Sequence, residues 1–177
     1  PIEIVVVDNA SSDNTLAILR SYRQKIRLFR NRENAGFSTG QNQAIAASKG
    51  AWVLTLNPDV KLLPDFIASL IDAADDDPFV GAACGKLLRM GPEGEPLPGP
   101  LIDSTGIYFT PEIRHFDRGW GDADHGQYDR VEYVFGACAA AALYRREMIE
   151  DIKEGPDFFD PDFFCYREDA DLAWRAQ

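Results

Sequence analysis

The sequence predicts a single domain of the α/β class, covering residues 1–177. Its length is enough to bury a core, and 45% of its residues are hydrophobic. In the first half, apolar runs typical of strands alternate with segments of helical periodicity. In the second half, the strand-like pieces are shorter. We therefore expect parallel strands joined by helices, followed by a mixed sheet.

The first strand–helix–strand unit begins at the start of the chain. Ile2–Val7 is β-branched and almost wholly apolar, which predicts a parallel strand buried on both faces. Thr15–Arg23 repeats apolar residues every three positions, so we expect a helix with Ser12 or Asp13 as its N-cap. Ile26–Arg30 alternates apolar and basic residues and predicts a short strand.

A second unit follows in the same order. Ser38 precedes Gln41 by three residues, the spacing of a capping box, and predicts a helix that ends at Gly50. Ala51–Leu56 is a second apolar run and predicts a buried strand, which ends before Pro58 because proline cannot donate to a central ladder.

The first half closes with one more helix and strand. Phe66–Ala74 is amphipathic and predicts a helix that starts at Asp65, and Phe79–Cys84 predicts a strand. Residues 90–100 contain three glycines and four prolines. This composition is incompatible with regular structure and predicts a surface loop that divides the chain.

In the second half of the chain, the runs that predict strands are short. Gly106–Thr110 and Val131–Phe135 indicate strands. Ala137–Leu143 fits a helix by alanine propensity or a buried strand that leads into a helix, and we favour the strand. Asp171–Gln177 has a helical pattern without a stop signal, and the chain opens within an apolar run. We therefore expect both ends to be cut from a longer domain.

Charge and cysteine content argue against several function classes. The formal net charge of −11 disfavours nucleic acid as a partner. No apolar run approaches the ~20 residues of a membrane helix. Cys84, Cys138 and Cys165 lie in apolar sequence without metal-ligand spacing. We expect buried free thiols in a reducing compartment, the cytoplasm.

Polar side chains follow the first apolar strand, at the position where open α/β sheets bind ligands. Asp8 comes directly after the strand, and Asn9, Ser11 and Asp13 follow in the next loop. Together they could hold a nucleoside. Each of the loop residues alone is better explained as a turn or cap former.

Asn57 and Asp59 stand on either side of a proline after the second strand. Two oxygen-bearing side chains at this spacing can share a hard cation, Mg²⁺ or Mn²⁺, which could bridge a diphosphate. An ordinary Asn-Pro-Asp turn is the alternative.

Glu168, Asp169 and Asp171 crowd the first turn of the last predicted helix. Acids at this position stabilise a helix in themselves. Crowding them beside aromatic residues also raises the proton affinity of at least one carboxylate, as a general base requires. The composition leaves both explanations open.

His115 and His125 flank a polar and aromatic loop that contains Trp120. Lone histidines in loops are usually solvated. Trp120 could stack on a sugar or a base, although an aromatic residue beside glycines more often anchors its loop.

Five motifs occur in a fixed order along the chain: Val5–Asp13, Asn34–Phe37, Leu56–Val60, Phe135–Cys138 and Phe163–Arg175. Together they resemble the motifs of family 2 glycosyltransferases, most closely the rhamnosyltransferase-like bacterial branch. The resemblance spans residues 2–176. It implies a GT-A fold, a Rossmann-like three-layer sandwich with a central mixed sheet, in which residues 1–89 bind the nucleotide-sugar donor and residues 101–177 bind the acceptor.

The resemblance implies a donor site with a metal ion. Asp59 matches the last acid of the family's Asp-x-Asp motif, so Mg²⁺ or Mn²⁺ is expected there, although Asn57 replaces the first acid. The implied nucleotide-binding residues lie in two loops and at the end of a strand: Asp8, Asn9, Ser11, Asp13, Asn34, Gly36 and Asn57.

The resemblance also implies a catalytic base. Asp169 corresponds to the base of the family's Glu-Asp motif, with Glu168 beside it. Gly136 and Ala137 resemble an acceptor-side strand, and Trp120 is our further candidate for acceptor binding. Arg175, which closes the same helix, matches a family arginine to which we assign no role.

The implied reaction transfers a sugar, with inversion, from a nucleotide-diphospho-sugar to a saccharide or lipid-linked glycan acceptor. It belongs to cell-surface polysaccharide synthesis, in the cytoplasm or at the inner face of the membrane. A non-catalytic nucleotide- or glycan-binding module and a nucleotidyltransferase are the alternatives. The family's earlier nucleotide-binding loop and later histidine have no counterpart here, so we expect a core fragment that can be inactive on its own.

Overall fold

Two parallel strands open the fold. In the computed structural model, which describes residues 2–177 and leaves Pro1 outside, β1 (Val5–Asp8) pairs with β2 (Arg27–Arg30) across α1 (Thr15–Ser21). This confirms the predicted unit. The prediction of a buried strand at Ile2–Val7 is wrong in extent and burial: Val5–Val7 are only half-buried, and Ile2 and Ile4, which precede β1, are exposed. Asn14, not Ser12 or Asp13, occupies the N-cap position of α1.

The next helix, α2 (Phe37–Ala47), packs on β1. Its N-cap is Gly36, so the predicted capping box is wrong: the Ser38 hydroxyl lies inside the first turn and donates to the carbonyl of Phe163 instead. The helix ends three residues before Gly50.

A three-stranded antiparallel sheet forms the centre of the molecule. β9 (Ala141–Arg145) lies between β3 (Trp52–Leu56) and β4 (Ala82–Cys84). The predicted strand at residues 137–143 is therefore confirmed only from Ala141 onwards, since residues 139 and 140 form a turn. Parallel and antiparallel pairs together give the predicted mixed α/β architecture.

Two helices pack against this sheet. α3 (Phe66–Asp75) begins after Asp65, as predicted, and contacts β4 and β9. α4 (Arg146–Ile152) follows β9 directly, as the pattern of the preceding apolar run indicated.

The second half contributes two small sheets before β9. β5 (Leu87–Leu88) pairs with β6 (Ile102–Ser104), and β7 (Ile107–Phe109) pairs with β8 (His115–Asp117). Both pairs are antiparallel, where the sequence predicted a mixed sheet. The predicted strand at residues 131–135 is wrong: Val131 and Tyr133 are 85% and 83% exposed. In this stretch the backbone pairs first at Gly136, which bridges to Ile107.

The last helix, α5 (Glu168–Arg175), buries one face against the rest of the molecule. The core cluster joins α2, β9, α4, α5 and the segment that precedes α5; its largest fully buried members are Tyr144, Phe158, Phe159 and Ile149. No helix within residues 2–177 has the length and apolar character needed to cross a bilayer.

The three cysteines are free thiols, as predicted. Burial raises the pKa of the Cys84 thiol to about 11 and that of Cys138 to about 12, so both stay protonated at neutral pH. Cys165 is exposed, which corrects the prediction that all three are buried.

Candidate active site

Asp8 is the last residue of β1 and is buried. Its Oδ1 accepts a hydrogen bond of 3.1 Å from the backbone N–H of Ser11. Its Oδ2 is also buried and has no hydrogen-bond partner among residues 2–177; the Arg30 Nε lies 3.8 Å away. A buried acceptor without a donor is costly, and the nearby Arg30 guanidinium offsets part of that cost.

Asn9 holds the loop after β1 against the start of α2. Its Nδ2 donates to the carbonyl of Gly36 (2.9 Å), and its Oδ1 accepts from Nδ2 of Asn31 (2.7 Å). Asn31 also donates to Oε1 of Gln43 in α2 (2.9 Å). Sequence reasoning missed Asn31, for which the turn-prone composition of residues 31–36 was the only local signal.

The other polar residues of these loops shape turns. Oδ1 of Asp13 accepts from the N–H of Thr15, and hydrogen bonding to the Thr15 side chain, then to its backbone, lowers the pKa of the exposed Asp13 carboxyl. Oδ1 of Asn34 accepts from the N–H of Gly36 in the same way. Ser11 is half-buried and contributes its backbone N–H to Asp8.

Gly36 joins the first half of the chain to the segment before α5. Its φ of +85° lies in the left-handed region. A Cβ at this position would lie 2.6 Å from the carbonyl oxygen of Phe164, which accepts a hydrogen bond from the N–H of Phe37. The loops that carry Asp8 and Gly36 therefore contact the segment that leads into Glu168 and Asp169.

Glu168 and Asp169 begin α5 directly after two left-handed residues, Tyr166 and Arg167. Burial raises the pKa of Glu168 to about 7, and the charge of Asp169 adds to this effect. Oε2 of Glu168 is buried without a partner in the described chain. The predicted rise in proton affinity is thus confirmed, but its main cause is burial rather than crowding.

Asp169 is held by two backbone N–H groups. Its Oδ1 accepts from Ala170 (2.9 Å) and its Oδ2 from Ala139 (3.3 Å). Burial raises the pKa of Asp169 against the effect of these bonds, and the charge of Asp117 adds to the rise. Asp171, the third acid, pairs with Arg175 at 2.8 Å instead.

Residues 136–140 pack between α5 and the end of β3. A Cβ on Gly136 would lie 2.2 Å from the Cβ of Ala173, so this glycine allows close packing of the backbone on α5. Ala137 is buried in the core. The carbonyl of Ala140 accepts from the N–H of Asn57 (2.9 Å). One short turn thus contacts both Asp169 and the Asn57-Pro-Asp59 segment.

Asp59 is exposed and Asn57 is half-buried. Among residues 2–177, no group of three or more His, Cys, Asp or Glu side chains could hold a metal ion. Mg²⁺ keeps several waters and usually binds one or two carboxylates together with substrate phosphates. Asn57 and Asp59 fit that mode of binding and do not form a cage of protein ligands.

Arg175 fastens α5 to the body of the protein. Its guanidinium donates to Asp171, to the carbonyl of Ile152 (3.1 Å) and to the carbonyl of Phe158 (2.8 Å). This gives a structural role to a residue for which the sequence suggested none.

Trp120 lies apart from these contacts, in the loop after β8, and is 65% exposed. His115 is half-buried with its ring 5.8 Å from that of Phe109, and His125 is exposed.

The sequence profile of Glycosyl transferase family 2 matches residues 1–153. The chain belongs to this family. The N-acetylglucosaminyl-diphospho-decaprenol L-rhamnosyltransferase of Mycobacterium tuberculosis (strain ATCC 25618 / H37Rv) is 29% identical over 197 aligned positions, which cover 99% of this family 2 chain. The succinoglycan biosynthesis protein ExoO of Rhizobium meliloti (strain 1021) is 32% identical over 103 positions, 53% of this chain and 30% of that protein.

This family 2 chain spans 61% of the length of the mycobacterial relative. Among solved structures, GalNAc-T7 with UDP, GalNAc and Mn²⁺ superposes with a TM-score of 0.67 at 12% identity, covering 98% of this chain and 34% of that one. The likeness establishes the shared GT-A fold.

Proposed function

We propose that this chain is the core of an inverting glycosyltransferase that moves a sugar from a nucleotide-diphospho-sugar to a hydroxyl group. The observation that carries the proposal is the setting of Asp169. Asp169 is a partly buried carboxylate with a raised pKa. It accepts a hydrogen bond from the N–H of Ala139, and the next residue of the same turn, Ala140, accepts one from Asn57. A base of this kind suits proton abstraction near neutral pH.

The donor nucleotide is assigned to the loops around Asp8. Oδ2 of Asp8 has no hydrogen-bond donor within residues 2–177, with the Arg30 Nε 3.8 Å away, and it can accept from an N–H group of a nucleobase. Asn34 and Gly36 form the facing loop, and Ser11 and Asp13 shape the first one. Membership of family 2 supports this assignment.

Asn57 and Asp59 would hold Mg²⁺ or Mn²⁺ against the donor diphosphate. A bound divalent cation there would offset the negative charge that develops on the leaving diphosphate. The two side chains supply the oxygen ligands that such ions prefer, and the Mn²⁺ named with GalNAc-T7 is consistent with this proposal.

Transfer itself is a single displacement. The acceptor oxygen forms a bond to the anomeric carbon while the bond from that carbon to the diphosphate oxygen breaks on the opposite face. Asp169 takes the proton of the acceptor hydroxyl. Glu168 lies beside Asp169 and has a pKa of about 7. Below that pH Glu168 is mostly protonated, so it adds no second full negative charge next to the base.

The acceptor is a saccharide or a lipid-linked glycan, and the pathway is the synthesis of a cell-surface polysaccharide. The names of the two relatives support this: one includes a diphospho-decaprenol and the other succinoglycan. The free thiols of this chain support a reaction in the cytoplasm, at the inner face of the membrane for a lipid-linked acceptor.

Calorimetric titration of UDP, dTDP and GDP, with and without Mn²⁺, tests the donor site. We expect one nucleotide to bind only with the metal, and Asp59→Ala to abolish this binding. Asp72→Ala, an exposed aspartate in the middle of α3, is the matched control and should bind like the wild type.

Failure of a folded wild-type chain to bind any of the three nucleotides would contradict the proposed donor site. Binding without sugar transfer in a chain that retains Asp169 would support a non-catalytic module. Release of pyrophosphate would indicate a nucleotidyltransferase.

A further inference from the structure

A cavity of about 700 Å³ lies beside the β7–β8 hairpin, outside the donor loops and outside the contacts of Asp169. Its walls come from the hairpin and from the loop that follows. The residues on which the inference depends are three aromatic and three charged ones: Tyr108, Phe116, Trp120, Asp117, Arg118 and Asp122.

The aromatic residues leave much of their surface open to solvent. Trp120, Phe116 and Tyr108 are 65%, 45% and 43% exposed. Tyr108 and Phe116 stack with ring centroids 5.6 Å apart, and the guanidinium of Arg89 lies 4.9 Å from the Trp120 ring. These contacts hold the rings in place, so the exposed surface of the Trp120 ring is preorganised for stacking of the apolar face of a sugar ring.

The charges of the cavity favour an uncharged ligand. Arg118 is occupied, because it pairs with Glu132 at 2.7 Å and lies 4.3 Å from the Tyr128 ring. With Arg118 paired, Asp117 and Asp122 make the net charge of the cavity wall negative. Two carboxylates repel a phosphate but accept hydrogen bonds from hydroxyl groups. Asp117 is half-buried in the cavity wall and Asp122 is exposed there, so both carboxylates can accept from the hydroxyl groups of a ligand.

The hairpin also packs on the helix that carries Asp169. Phe109 of β7 lies 5.5 Å from Trp174 of α5 and 4.6 Å from Phe135, measured between ring centroids. The bridge between Ile107 and Gly136 ties the same strand to the segment that contacts Asp169. The charge of Asp117 contributes to the raised pKa of Asp169, as expected for neighbouring carboxylates.

We propose that this cavity binds an uncharged pyranose ring of the acceptor, with Trp120 as the stacking surface and Asp117 and Asp122 as acceptors for its hydroxyl groups. The inference rests on the proposed transferase function and names the part of the acceptor that is recognised. The phosphate groups of a lipid-linked acceptor lie outside the cavity.

Saturation-transfer NMR on this chain, without nucleotide, tests the inference. The probes are the methyl glycosides of L-rhamnose, N-acetylglucosamine, galactose and mannose, and the 1-phosphate of each sugar. We expect at least one methyl glycoside to bind, and to bind more tightly than its sugar 1-phosphate. Trp120→Ala should weaken that binding at least about tenfold.

Two further variants keep the result interpretable. Asp122→Asn, an exposed side chain, should weaken binding severalfold without affecting folding. The ring of Trp52 lies in the central sheet, 4.4 Å from the Arg145 guanidinium and away from the cavity. Trp52→Phe should therefore leave glycoside binding unchanged.

Three outcomes would overturn the inference: no methyl glycoside binds the folded wild type, Trp120→Ala and Asp122→Asn both bind like the wild type, or the sugar 1-phosphates bind more tightly. Nucleotide titration of the same sample separates the two proposals. Nucleotide binding without glycoside binding removes this inference alone, and glycoside binding without nucleotide binding contradicts the donor site.

Discussion

The carbonyl oxygen of Phe164 occupies the space that a side chain on Gly36 would need, 2.6 Å from an ideal Cβ. The same oxygen accepts a hydrogen bond of 2.7 Å from the N–H of Phe37. The start of α2 and the segment before α5 are therefore in backbone-to-backbone contact, and this contact connects the proposed nucleotide loop to the proposed base.

Gly36→Ala should destabilise the protein by more than about 2 kcal/mol, because alanine must both adopt the left-handed conformation and displace a backbone carbonyl. Urea unfolding measures the loss. Gly121→Ala is the matched control: its φ of +83° is nearly the same, but nothing lies within 4 Å of its Cβ. It should cost only about 1 kcal/mol. Equal losses in the two variants would show that the Phe164 contact is unimportant.

Asn42→Leu should cost at least about 3 kcal/mol, because it leaves several buried polar groups without partners. The Asn42 amide donates to Asp157 Oδ1 (2.9 Å) and to the Phe159 carbonyl (2.7 Å). Its oxygen accepts from the N–H groups of Phe158 and Phe159.

The control for this change is Asn14→Leu, at an exposed position whose side chain does not cap α1. Its effect on the unfolding free energy, measured by urea titration, should stay below about 1 kcal/mol. If Asn42→Leu costs as little as Asn14→Leu, the buried Asn42 amide does not hold α2 to residues 157–159.

Glu168 should make the protein less stable as the pH rises from about 4.5 to about 7. In the folded state its carboxyl has a pKa of about 7 and keeps the proton, whereas in the unfolded chain it releases the proton near 4.5. The folded state therefore binds more protons in this window, and stability falls with rising pH. A shift of this size corresponds to about 3 kcal/mol.

Glu168→Gln removes this ionisation, so the difference in unfolding free energy between pH 5 and pH 8 should shrink by up to about that amount. Urea titrations at the two pH values measure it. Glu154→Gln, an exposed position, should leave the difference unchanged. An unaltered difference in Glu168→Gln would mean that Glu168 does not retain its proton.

Asp169→Asn should reduce sugar transfer by about 10²–10⁴-fold while leaving nucleotide binding intact, because only the proton acceptor is lost. Wild-type transfer should decline as the pH falls through the raised pKa of Asp169, since the base must be ionised. Release of nucleoside diphosphate from the bound donor measures both effects. Asp162→Asn, an exposed aspartate before α5, should transfer at the wild-type rate. Full activity in Asp169→Asn would exclude it as the base.

Local sequence patterns predicted the elements whose causes are local. The β-branched run before Asp8, the amphipathic stretch that became α3 and the three acids at the start of α5 each appear where the sequence indicated. Apolar periodicity and end signals determine such elements without help from distant residues.

Distant contacts account for the errors. Ser38 has the spacing of a capping residue, but its hydroxyl is used by Phe163, 125 residues further along the chain. Val131–Phe135 has strand composition, yet within residues 2–177 it pairs with no strand, and Val131 and Tyr133 are exposed. Asn42 and Asn31 act through partners in other elements, and an asparagine in a helix or turn gives no local sign of such a role.

The Asn42 contacts also bear on how the protein folds during its synthesis. The amide finds its partners 115 to 117 residues later in the chain. At roughly 5–20 residues per second, a ribosome needs about 6 to 23 s to make a stretch of 115 residues. Through that interval α2 has a polar group facing an unfinished core. The proposed nucleotide-binding half therefore completes its buried hydrogen bonds only after Phe158 and Phe159 emerge.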